Sequence, residues 1–196
     1  MGFLKGKTAI ITGGGRSVLK DGSCGSIGYG IATAYAKEGA NLVITGRNKQ
    51  KLADAKEELE RLYNIKVLPV QADVSAGADN ETVVQNVIDE TIAKFGRIDV
   101  LINNAQASAS GVAANEWGPD GINANIICPL AWTAQLENFQ QTYPEAFEAN
   151  VKMPPAGHYG DVEKEIGRVC VQLASPDFKY MNGETLTLEG GMGLRP

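Results

Sequence analysis

The stretch TGGGRSVLKDGSCGSIGYGIA, residues 12–32, constrains this chain more than any other. It follows the apolar run Thr8–Thr12 and leads into a segment with helical spacing. Strand, glycine-rich turn and helix, in that order, form a cradle for a dinucleotide pyrophosphate. Glycine lets the backbone turn tightly and approach phosphate, and the helix N-terminus offers free N–H groups and partial positive charge. Between Gly15 and Gly25 the turn carries an insertion, RSVLKDGSC. Its Arg16 is a candidate phosphate ligand and equally a loop-solvating residue, while Lys20 reads as solvated.

Strand and helix signals then alternate. Strands are expected at 41–45, 66–71 and 99–103, and helices at 27–38, Lys49–Tyr63 and Asn80–Phe95. The second helix presents Leu52, Ala55, Leu59 and Leu62 on one face; the third presents Val84, Val87, Ile88, Ile92 and Phe95. Helices of this length between strands imply right-handed crossovers and a parallel sheet covered on both faces. The rhythm breaks after 103. Residues 106–114 are small and polar, 115–121 turn-like, 122–128 a strand, and 130–160 irregular with scattered aromatics. A helix over 161–174 and a strand over 185–189 follow. The reading is one α/β domain spanning 1–196, a doubly wound parallel sheet.

A length of 196 residues suits a single well-buried core. The net charge of −5 argues against nucleic acid or an anionic membrane as partner. Cys24, Cys128 and Cys170 lie far apart in no metal-ligand pattern, so reduced thiols in a cytoplasmic protein are the simplest expectation. No apolar run approaches the ~20 residues of a membrane span.

The end of the second strand selects the dinucleotide. An acid there would bind the adenosine ribose hydroxyls of NAD; Gly46 and then Arg47 stand there instead. A guanidinium pairs with a 2′-phosphate through parallel hydrogen bonds, which favours NADP(H) over NAD(H).

With TGGG…SIGYGIA, Asp73-Val74, Asn103-Asn104-Ala105-Gln106, EWGPDGINANIICP and ASPDFKYMNGETLTLEGGM in this order, the chain resembles the short-chain dehydrogenase/reductase family over nearly its whole length. The resemblance implies a Rossmann-type sheet and hydride transfer between a nicotinamide dinucleotide and a small, apolar alcohol or carbonyl. It further implies that Gly13, Ser26, Ile27 and Gly28 wrap the pyrophosphate, that Asp73 and Val74 border the adenine, and that Asn104 and Ala105 line a ribose. The segment 129–133, ending in Thr133, would meet the nicotinamide, and 130–160 would be the substrate lid. Gln106 and Leu130 replace glycines usual in the family. Association of copies through the last helix and strand is also implied.

The larger departure is an absence. The family's proton transfer needs Tyr-x-x-x-Lys on one helix with a nearby Ser. None of the six tyrosines is followed by Lys at that spacing, nor at the wider spacing of enoyl reductases. Ser108 and Ser110 lack the pair, and the lone His158 has no triad-like partner. The family places a helix, a strand and a helix between the fourth strand and EWGPDG, roughly 60 residues on the scale of βαβ units. Here only 107–115 stand there. No catalytic residue is therefore assigned. The expected sheet has six strands with one central strand missing, an apolar edge left bare, and little or no turnover. Two other readings stay open: a non-catalytic nucleotide-binding partner of a complete subunit, and an engineered or mis-assembled deletion.

Overall fold

Every residue of β1 (Thr8–Thr12) is buried, because β1 runs through the middle of a sheet with helices on both sides. The computed structural model describes residues 2–74, 80–104 and 110–193, with backbone alone at 110–113. After β1 come α1 (Ile27–Lys37), β2 (Asn41–Gly46), α2 (Lys49–Tyr63), β3 (Val67–Gln71), α3 (Asn80–Phe95) and β4 (Val100–Ile102). The four strands are parallel in the order β3-β2-β1-β4. Alternation divides the strands' side chains between two layers. Ala9, Ile11, Leu42 and Ile44 pack with α1 and α2, while Ile10, Val43 and Val70 meet Val87 of α3.

The C-terminal half contains α4 (Ser110–Trp117), β5 (Ile126–Pro129), α5 (Ala134–Thr142), α6 (Pro144–Asn150), a π-helical turn (Val162–Gly167), α7 (Arg168–Leu173) and β6 (Thr185–Leu188). The expected six parallel strands are present among the described residues, divided between two sheets. β5 and β6 pair only with each other, so the described strands form sheets of four and two. Between β4 and β5 no described strand supplies the hydrogen bonds that would join them.

Three further expectations change. Residues 130–160 are not irregular throughout. Thr133 caps α5 by accepting the Leu136 N–H at 3.3 Å, and Pro144 opens α6 where its missing N–H costs nothing. The strand expected from 122 starts only at Ile126, since the Asn123 and Asn125 side chains bind the Lys179 and Met181 carbonyls instead of a ladder. On α3, Val87 and Thr91 are buried, while Val84 and Ile92 are exposed. The core-facing stripe is rotated towards Val83, Val87 and Thr91, because no helix among the described residues covers its other flank.

The two outer edges of the four-stranded sheet differ. On β3, the bonds Leu42 N–H to Lys66 O and Ala72 N–H to Gly46 O turn even-numbered residues toward β2 and odd ones outward. Outward Val67 is covered by Glu60, which accepts its N–H at 2.8 Å, and by Lys56, which donates to its carbonyl at 3.0 Å. Outward Pro69 has no N–H at all. That edge is closed to further strands.

α1 meets the π-helical turn at unusually close range. A Cβ on Gly30 would stand 2.4 Å from the Val162 carbonyl oxygen, and one on Gly167 would stand 2.9 Å from that of Gly30. Tyr35 of α1 donates from its hydroxyl to the Cys170 carbonyl at 2.8 Å, inside the same buried contact. Burial pushes the Cys170 thiol up to about 12, so it stays protonated. No helix among the described residues is long and apolar enough to cross a membrane.

Candidate cofactor site

At the C-terminal end of the parallel sheet three backbones converge on Gly28. A Cβ there would lie 2.3 Å from the Gly13 carbonyl oxygen and 2.8 Å from the Asn104 amide nitrogen. Asn104, just beyond β4, donates from that nitrogen to the Thr12 carbonyl at 3.0 Å. Gly13 adopts φ of +72°, a conformation costly for any residue with a Cβ. The end of β1, the start of α1 and the end of β4 are thus drawn together at one point.

Ser26 is the N-cap of α1, yet its hydroxyl makes no cap bond. The Ser26 Oγ is buried and finds no hydrogen-bond partner among the described residues. An orphaned donor beside the free N–H groups of an 11-residue helix fits an anion supplied from outside the chain. These residues fit a dinucleotide pyrophosphate.

The insertion after Gly15 forms a small hairpin of its own. Val18 and Cys24 pair antiparallel, Leu19 N–H donates to the Ser23 carbonyl, and Asp21 accepts from both the backbone and hydroxyl of Ser23. Its base is tied to α2, where Arg16 N–H donates to Lys51 O at 2.8 Å and Arg16 Nε donates to Glu58 Oε2 at 2.8 Å. Glu58 also accepts the Tyr29 hydroxyl of α1. Burial raises Glu58, but the bonds from Tyr29 and Arg16 outweigh it and hold the carboxyl below its ordinary range. Burial and that same carboxylate push the Tyr29 hydroxyl well up, so it remains a donor. This Glu58–Tyr29 partnership has no local signature, because the two residues sit on different helices.

Arg47 lies just past β2, where its own carbonyl accepts from Gln71 Nε2 at 3.0 Å. Its guanidinium is exposed and makes no hydrogen bond or ion pair with a described residue. Asp73 and Val74 follow β3, and Val74 packs partly against the α3 side of the core. Ile27 joins the α1 core. Ala105 lies outside the described residues, as do Gln106 and Ser108.

Thr133 is brought to the same end of the sheet, because the neighbouring Ala134 N–H donates to the Gly25 carbonyl at 2.8 Å. From there α5 runs out beside the hairpin, its Glu137 accepting from Lys20 N–H at 3.2 Å. The aromatics of this region, scattered in sequence, gather into a cluster. Trp132 meets Phe147 edge-on at 6.2 Å and Tyr159 at 5.9 Å, and Phe139 lies 6.0 Å from both Tyr143 and Phe147. A further carboxylate pair stands nearby, His158 Nε2 on Glu165 at 2.9 Å.

Comparison with known proteins agrees with this arrangement. Residues 7–113 match the family described as short chain dehydrogenase, and residues 105–193 match that described as enoyl-(acyl carrier protein) reductase. The chain belongs to the short-chain dehydrogenase family, whose members are NAD(P)-dependent oxidoreductases. It is 50% identical to a 12alpha-hydroxysteroid dehydrogenase of a Clostridium species over 266 aligned positions, covering 100% of both chains. It is 36% identical to a peroxisomal 2,4-dienoyl-CoA reductase of Danio rerio over 266 positions, covering 98% of this chain and 83% of that protein. The fold is similar to L-sorbose reductase from Gluconobacter frateurii, solved with NADPH and L-sorbose, at a TM-score of 0.79 and 19% identity, with 98% of each chain covered.

Proposed function

We propose that this chain binds NADP(H) at the α1 N-terminus and belongs, by substrate class, with dehydrogenases of hydroxysteroids and similar apolar alcohols, while itself turning over little or none. The observation that carries the cofactor reading is the cradle of Gly13, Ser26 and Gly28, with a buried serine hydroxyl that nothing in the described chain satisfies. Ile27 and Asn104 would close the pyrophosphate and ribose side, Asp73 and Val74 the adenine side, Ala105 the ribose, and Thr133 the nicotinamide side. Arg47 would pair with the 2′-phosphate, and NAD(H), lacking it, would bind more weakly. Arg16 would join the phosphate contacts only by leaving Glu58, which anchors it about 10 Å along α2 from its own backbone contact at Lys51.

When bound, NADPH would supply a hydride. The aromatic cluster around Trp132 would give a flat apolar substrate a surface to lie on, in keeping with the steroid substrate of the clostridial relative. What the chain lacks is the tyrosine–lysine pair for the accompanying proton. The reading of a lost helix–strand–helix block is supported by an alignment of 266 positions against 196 residues, and by two family matches that overlap over 105–113. The groove beside α7, lined by Val169, Leu173, Phe178 and Leu186, would be the face through which copies associate.

Calorimetric titration tests the cofactor, and a hydroxysteroid turnover assay tests the loss. The expected result is NADPH binding tighter than NADH with no enzyme-like rate. Absence of binding for both nucleotides would sink the first claim, and rapid turnover the second.

A further inference from the structure

Two strand edges carry backbone groups without partners among the described residues. In β4, pairing with β1 uses the backbones of Val100 and Ile102 and turns Leu101 outward. In β5, Ile126 N–H donates to Glu184 O and Leu130 N–H to Leu188 O, so 126, 128 and 130 face β6 and Ile127 faces the other way. Neither the Leu101 nor the Ile127 N–H has a partner among the described residues.

The two open edges belong to one surface. Val100, Ile102 and Ile127 pack against the same core cluster of α1 and α7. The bond from Ala134 to Gly25 puts the C-terminal end of β5 beside the turn that follows β1, so β4 and β5 run in the same sense. On β4, apolar Leu101 is 52% exposed, and on α3 Val84 is 40% and Ile92 46% exposed. The opposite edge of the sheet is blocked by Glu60, Lys56 and Pro69, whereas no comparable guard lies on β4 among the described residues.

We infer that the open edges of β4 and β5 are an acceptor for one parallel β-strand delivered by a second polypeptide, a helix–strand–helix segment of a longer member of the same family. This rests on the reading that such a block is absent here. A strand parallel to both edges would bond Leu101 on one side and Ile127 on the other, while its flanking helices would cover Val84, Ile92 and Leu101. Pro129, which lacks an N–H, limits pairing at the upper end of β5. The clostridial relative, aligned over 266 positions, has the extra length for such a segment. A lone helix would leave both backbone edges bare.

The test co-expresses this chain with the internal segment of the clostridial dehydrogenase that has no counterpart here. Expected are a 1:1 complex on size exclusion, at least tenfold slower hydrogen exchange at the Leu101 and Ile127 amides, and carbonyl reduction by NADPH that neither piece shows alone. Leu101→Pro removes the outward N–H together with the side chain, and Leu101→Ala removes the side chain alone; the proline variant is expected to weaken the complex at least tenfold more than the alanine variant, with NADPH binding retained in both. No complex from a chain that binds NADPH overturns the inference. So does a complex weakened no more by Leu101→Pro than by Leu101→Ala, or protection of Leu101 by self-association alone. NADPH titration of the chain without the segment reports separately on the cofactor reading.

Discussion

Arg16 Nε rests 2.8 Å from Glu58 Oε2, and the other oxygen of Glu58 takes the Tyr29 hydroxyl. One carboxylate therefore fastens the glycine-rich turn to both α1 and α2. Glu58→Ala would strand the hydroxyl of buried Tyr29 and release Arg16, with an expected cost of about 1–3 kcal/mol in urea unfolding. The Arg16 and Glu58 side chains are 33% and 27% exposed, so a double-mutant cycle between them should give less than about 1 kcal/mol.

Arg47 is the expected reader of the 2′-phosphate. Arg47→Ala should weaken NADPH binding about tenfold or more, since a charge-assisted bond contributes about 1.5–3 kcal/mol. NADH affinity should be unchanged. Equal losses for both nucleotides, measured by calorimetry, would remove Arg47 from that role.

Gly28→Ala puts a methyl group 2.3 Å from the Gly13 carbonyl oxygen. Both neighbours are backbone or anchored amide, so the start of α1 must shift. The expected outcome is a loss of about 1–3 kcal/mol in stability and at least tenfold weaker NADPH binding. Retained affinity would place the pyrophosphate elsewhere.

His158 and Glu165 make a pH-sensitive pair. The Glu165 carboxylate, then the Ala156 carbonyl, raise the His158 imidazole above its ordinary value. The Asp161 backbone N–H, then His158, hold Glu165 below its own. A raised histidine stabilises fully below its unfolded value of about 6.5 and ceases to as pH climbs through the folded one; a lowered Glu stabilises above about 4.3 and is lost on acidification. His158→Ala should therefore lower Tm near pH 5.5 and leave it unchanged near pH 9. A pH-independent difference would refute the pairing.

The alternation from β1 through α2 was legible because long amphipathic helices and buried strands carry their own periods. α3 shows the limit. Val84, Val87, Ile88, Ile92 and Phe95 wrap more than one face, and the sequence cannot say which flank a neighbour covers; the sheet chose Val87 and Thr91. Short α5 and α6 were hidden for another reason, since helices of 9 and 7 residues with no buried positions have no stripe to read. In the site, Gly13, Ser26, Gly28 and Asn104 were found from local motifs and do converge. Partners distant in sequence, such as Glu58 for Arg16, have no local signature. Division of the strands into two sheets was likewise invisible, because it depends on what lies between β4 and β5.

The π-helical turn at Val162–Gly167 also says where this chain cannot change its length. Its extra residue per turn sets the phase in which Gly167 reaches Gly30, and with it the phase of α7. Deleting one residue there would rotate everything beyond by about 100°, swinging Cys170 and Val171 out of the core. Surface loops in such a fold accept added or lost residues freely. Exposed Lys164 should tolerate substitution far better than the turn tolerates the gain or loss of a single residue.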